Sequence, residues 1–196
     1  MGPNAPARPN EGDFVINLID RIASALARVT LWLAAVLLLL MAFHVTADVI
    51  SRSVFNAPIA ATLEFGTYYY MVAASFLALG YAQMRDHNVS VDILIHGAGP
   101  RMRMVVECVA LIVTLIYGVA FTWASTLSAL EKTRVGAYTL TQFFNLATWP
   151  SHWILVVAGV VFCLVLLAQI LRIVAALGRG EDRRVAELIG QKTESL

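Results

Sequence analysis

Four apolar stretches constrain this chain more than any other feature of it. A helix crossing the ~30 Å hydrocarbon core of a bilayer needs about 20 predominantly apolar residues. Val29 to Ile50 meets that requirement, as do roughly Ala61 to Gln83, Met104 to Leu127 and Trp153 to Leu177. A transmembrane β-strand is near ten residues and alternates in polarity, whereas these runs are long and apolar on all sides. The composition agrees: 59% of the 196 residues are hydrophobic and 14% charged, against about a quarter charged in a soluble domain. The predicted fold is an all-α membrane protein of four transmembrane helices. With a net charge of +1, no basic field points to a nucleic-acid partner.

Local signals bound the helices. Thr148 or Ser151 is placed to cap the fourth span, with Pro150 suited to its entry, and Gly178 and Gly180 follow its end. Gly97, Gly99 and Pro100 separate the second connection from the third span. No internal repeat is visible, unlike the matched halves of inverted-repeat transporters. The residues before the first span do not read as a cleavable signal, because the apolar run is too long for an h-region.

Basic residues set the orientation. Eleven Lys and Arg flank one side: Arg8, Arg21 and Arg28, then Arg85, Arg101 and Arg103, and the five from Arg172 to Lys192. Arg52, Lys132 and Arg134 flank the other. Both termini are therefore expected in the cytoplasm, with residues 1–28 and 178–196 as cytoplasmic segments. Within the first, Phe14, Leu18, Ile22 and Leu26 recur at helical spacing beside Asp20, Arg21, Ser24 and Arg28. That pattern fits an amphipathic helix in the inner interface or an extension of the first span.

Ionisable groups near the spans are costly unless they face protein or water. His44, Asp48 and Arg52 fall at i, i+4 and i+8 and share one face toward the outer end of the first span. Glu64 begins the second. Arg52 can pair with Asp48 along the helix or with Glu64 across the NAPIAAT link, forming a clasp or a contact for a partner subunit. Glu107 has Arg101 and Arg103 as local partners. Trp149, His152 and Trp153 read as an outer aromatic belt, and Tyr68, Tyr69 and Tyr70 as packed between helices. Cys108 and Cys163 form no metal-ligand spacing and read as small buried hydrophobes. No P-loop, HExxH or GxSxG motif is present, so catalysis is not expected. The four histidines leave a haem- or quinone-binding redox protein as the alternative reading.

RDHNVSVDILIH, Arg85 to His96, alternates like a strand. A lone strand at the interface would leave its backbone groups unpaired. On a helix, Asn88, Asp92 and His96 form one polar stripe, which predicts a short interfacial helix over about 88–97.

SRSVFNAPI (Ser51 to Ile59), Glu64 about a turn later, and RDHNVSVDIL with Arg85, His87, Val91 and Asp92 together resemble the DctQ-like small permease of tripartite ATP-independent periplasmic (TRAP) transporters. The resemblance runs roughly from Ala25 to Leu177. Asn88 stands where an aliphatic residue is more typical, and YTLTQFFNLATWPSHW fits only loosely. The resemblance implies a non-enzymatic subunit of a solute importer in a bacterial inner membrane, without a cofactor of its own. A large membrane subunit would carry the substrate and sodium sites, and a periplasmic binding protein would deliver the solute, often an organic anion. It also implies that Arg52, Glu64, Arg85, His87 and Asp92, with Asp48 from the clasp, serve hairpin fixation and contacts to subunit or lipid.

Overall fold

A computed structural model describes residues 11–85, 100–141 and 144–179. The predicted interfacial helix over 88–97 and the tail from 180 lie outside them.

The first helix, α1, runs from Glu11 to Phe55 without interruption. No Gly or Pro occurs between Asp13 and Phe55, and leucine and alanine, both strong helix formers, dominate its middle. At ~1.5 Å per residue it is about 68 Å long, over twice a bilayer core. Residues 14–28 therefore continue the first span as one helix. The helix stops at Asn56, which adopts a left-handed φ of 52°, and Pro58 follows shortly after.

The second apolar run is segmented. It comprises α2 (Thr62–Phe65), a π-helical turn (Gly66–Tyr70), α3 (Met71–Leu77) and α4 (Leu79–Arg85). No piece exceeds seven residues. Among the described residues, three helices are long and apolar enough to cross a membrane: α1, α5 (Pro100–Arg134) and α6 (Trp149–Arg179).

Helix α5 closes with two backbone bonds characteristic of a glycine-terminated helix: Ala137 N–H donates to Lys132 O at 2.9 Å and Gly136 N–H to Thr133 O at 3.1 Å. Gly136, at φ +59°, supplies the left-handed residue that this motif requires. Beyond it lies an element absent from the all-α expectation. β1 (Tyr138–Leu140) and β2 (Asn145–Ala147) pair antiparallel, with Thr139 opposite Leu146. Strands of three residues are too short for periodicity to reveal. Thr148 N–H then donates to Ala137 O at 2.9 Å, and α6 starts at once. Ser151 does not cap α6; its hydroxyl donates back to Thr148 O at 2.7 Å.

Helix α6 is the hub. Its most apolar stretch is 39% buried, against 17% for those of α1 and α5. It packs on α1, α3, α4 and α5. Toward one end, Ala23 and Ala27 of α1 meet Val161, Val165 and Ala168. Ala34, Ala73 and Leu77 form a second cluster with Ile154 at its edge. On the α5 side, Leu111 packs with Leu166 and Ile173. Ala23 and Ala27, in the segment expected outside the span, thus lie in the core.

Small residues set these approaches, as in membrane bundles generally. A methyl group on Gly159 would lie 2.5 Å from Thr122 Oγ1, and one on Gly80 would lie 3.0 Å from Val161 Cγ1. Thr122 is β-branched and its hydroxyl is committed to Gly118 O at 2.7 Å, so it yields little. A methyl on Gly66 would meet nothing within 4 Å. Gly159→Ala should therefore destabilise the chain by about 1–3 kcal/mol through overpacking, while Gly66→Ala should leave it unchanged. Thermal unfolding of the two variants in the same detergent checks this; equal melting temperatures would refute the close-packing account of the α5–α6 contact.

Candidate functional site

The ion pairs and the amide pair of the described residues gather at the two ends of the bundle. At the end where α1 turns into the second segment, Asp48 is the central group. It is only 7% exposed. Helical spacing brings Arg52 onto the same face, and Arg52 Nη2 donates to Asp48 Oδ2 at 2.9 Å. The other carboxylate oxygen, Oδ1, accepts the backbone N–H of Ile59 at 2.7 Å. One carboxylate thus holds both an arginine from its own helix and the connecting loop. Both oxygens are satisfied, as a poorly solvated carboxylate requires. The loop it grips is strained: Ala61, at φ 62°, occupies a region that non-glycine residues seldom enter. Ser51 Oγ donates to Ala57 O at 2.6 Å and completes the hold on the loop.

The π-helical turn directs three consecutive tyrosines in different directions. Tyr70 faces α1, its hydroxyl 3.4 Å from His44 Nδ1 and its ring edge-on to the imidazole at 6.0 Å. Tyr69 donates its hydroxyl hydrogen to Ala147 O at 2.5 Å, which ties the second segment to β2 and so to the start of α6. Tyr68 is exposed. Trp153, expected in an outer belt, donates Nε1–H to Thr133 Oγ1 at 2.9 Å and links α6 to the end of α5.

At the opposite end, Gln83 Nε2 donates to Gln169 Oε1 at 3.2 Å, and Gln169 Nε2 donates to Gln83 O at 3.0 Å. This reciprocal amide pair locks α4 to α6. Asp20 of α1 forms an ion pair with Arg172 of α6. Arg85 donates Nε–H to Tyr81 Oη at 2.9 Å and stacks over the same ring.

Of the sequence-predicted site residues, the structure brings Asp48 and Arg52 together. Glu64 is half-buried, is not the partner of Arg52, and makes no ion pair among the described residues. Arg85 is at the far end of the segment that Glu64 begins, ~32 Å away along helical backbone. His87 and Asp92 lie outside the described residues. Among the described residues, no three His, Cys, Asp or Glu side chains cluster as a metal site requires.

Sequence reasoning missed the Ile59 N–H, the Tyr69 bond, the glutamine pair and the Asp20–Arg172 pair. Gln83 and Gln169 did carry a signal, being uncharged amides within apolar runs, where such groups bond across helices. The Asp20–Arg172 pair carried none, since nothing local relates residues so far apart in the chain.

Residues 41–176 match a family model described as "Tripartite ATP-independent periplasmic transporters, DctQ component". The match includes Asp48, Arg52, Glu64 and Arg85 and excludes Ala23, Ala27 and Asp20. No curated protein and no solved structure matches the chain significantly.

The geometry ranks the end-of-bundle contacts. Asp48→Ala frees a loop N–H and removes the ion pair, whereas Arg52→Ala removes a side chain that is 61% exposed. Asp48→Ala is expected to lower the melting temperature by more than Arg52→Ala, and a reversed order would show that the loop bond is not the anchor. Tyr69→Phe, which deletes one hydrogen bond, should cost about 1 kcal/mol, or some 2–4 °C in a chain of this size.

Proposed function

Because the chain belongs to the DctQ component family and is a small membrane component of a TRAP transporter, we propose that it is a non-catalytic scaffold. In this reading it holds a large transport subunit in the bilayer of a bacterial inner membrane. The importer is sodium-coupled, with the sodium and solute sites in the large subunit, and a periplasmic binding protein delivers the solute, an organic anion.

One observation carries the proposal: the polar groups that join the helices at the two ends of the bundle are committed to partners within the chain. Asp48 is held by Arg52 and Ile59. Gln83 and Gln169 satisfy each other. Asp20 pairs with Arg172, and Tyr69 is bonded to Ala147. A solute or ion pathway needs polar groups turned toward a passage, and a rigid frame needs them turned toward neighbouring helices. The exposed apolar faces of α1 and α5, which carry Leu39, Phe43, Ile116 and Trp123 among others, suit contact with lipid and with another membrane subunit.

The topology proposed with this function has four spans, the second being the composite from Thr62 to Arg85. Both termini are cytoplasmic, and the 88–97 segment is an interfacial helix. Arg52 and Glu64 then lie on the periplasmic side, and Arg85, His87 and Asp92 at the cytoplasmic interface, where they contact headgroups or the large subunit.

Affinity purification of the tagged chain from its native membrane should bring down a much larger membrane protein, and vesicles containing this chain alone should take up no solute. Sodium-driven uptake by the chain alone would end the scaffold reading. A cysteine introduced at Ala57 should react with a membrane-impermeant maleimide added to spheroplasts, whereas labelling only after lysis would invert the proposed orientation.

A further inference from the structure

An apolar groove of about 410 Å³ lies between α5 and α6, at mid-length in both helices. Its walls include Val119, Thr122 and Thr126 of α5, and Val160, Cys163 and Leu167 of α6. Trp123, which is 68% exposed, stands at its lip. From Leu115 to Thr126 the groove follows α5 for about 16 Å at the helical rise. We propose that it is a binding site for one acyl chain of a membrane phospholipid.

The lining selects hydrocarbon. No charged side chain borders the groove. Its two hydroxyls are already committed: Thr122 donates to Gly118 O at 2.7 Å and Thr126 to Thr122 O at 2.7 Å. Neither has a hydrogen left for a headgroup or a polar solute. An ordered water needs two to four polar partners, and the groove offers it little beyond the acceptor lone pairs of these two hydroxyls. The helices beside the groove have little room to draw closer, because a methyl group on Gly159 would already lie 2.5 Å from Thr122 Oγ1 and one on Gly118 3.2 Å from Cys163 Sγ. Left empty, its walls would forfeit their dispersion contacts.

Shape favours a chain over a protein helix. The groove is bordered by nine residues, well short of the ~20–30 per side that a stable protein interface uses. It is also cut between two helices in direct contact, so a helix ~10 Å across would ride over it, whereas a single methylene chain can lie along it. This inference does not depend on the transporter reading, because it requires only that α5 and α6 cross a bilayer.

The test uses the full chain in vesicles of phosphatidylethanolamine and phosphatidylglycerol, doped with phosphatidylethanolamine bearing a diazirine midway along one acyl chain. After irradiation, mass spectrometry maps the crosslinks. They are expected to concentrate on Val119, Thr122, Cys163 and their neighbours in the groove. In Val160→Phe, which fills the groove from its partly exposed wall, crosslinking there should fall about tenfold, the effect of losing roughly two buried methylenes. Val174→Phe, on the same helix outside the groove, should leave it unchanged. Crosslinks spread evenly over the exposed faces of α1 and α5, or unaltered groove labelling in a folded Val160→Phe, would overturn the proposal. So would groove labelling that disappears when the large membrane subunit is co-expressed while labelling elsewhere persists, since a protein would then be the occupant. The wild-type map decides by itself if Val160→Phe does not fold.

Discussion

Everything else in this bundle depends on how closely other helices approach α6. In a bilayer, apolar helices gain nothing by leaving lipid for one another, so association rests on packing and on hydrogen bonds between helices. Gly159 against Thr122, Gly80 against Val161, and Ala23 and Ala27 against Val161 and Val165 let the backbones come near. Larger residues at these positions would hold the helices apart and strip α6 of its central place. The segmented second run is stable in that setting because α3 and α4 both lie against α1 and α6. Its short pieces would be marginal as isolated helices.

The polar contacts have a division of labour that follows from their positions. Asp48, Tyr69 and Trp153 join the helix ends on one side through the loop and the small hairpin. The glutamine pair and Asp20–Arg172 join them on the other. The bundle is thus tied at both ends by polar contacts. The π-helical turn is the exception to regularity, and such turns cluster at functional positions in other proteins. Within it, Tyr69 bonds to Ala147 O and Tyr70 lies against His44.

Much of this was legible in the sequence. Apolar runs of about 20 residues identified the membrane class, and the i, i+4 spacing of Asp48 and Arg52 identified a pair that the structure forms at 2.9 Å. Both signals are local: the first depends on consecutive residues and the second on a single helical face. The short strands were not legible, because three residues carry no measurable period. Nor was the segmentation of the second run, whose hydropathy reads like that of a continuous helix.

The sequence by itself determined that the chain is helical and apolar enough for a membrane, because each helix answers to its own composition and to the need to satisfy its backbone internally. Only the tertiary structure decided which helix is central, that residues 14–28 contribute Ala23 and Ala27 to the core, and that Asp48 grips the Ile59 N–H rather than Arg52 alone. Those outcomes depend on partners far apart in the chain, and their physical origin is the distance at which two backbones can meet. For the stretch from Ser51 to Glu64, which carries part of the family resemblance, the structure supplies a reason for two of its features. Arg52 meets the Asp48 carboxylate, and the turn that follows is short enough for that same carboxylate to hold it.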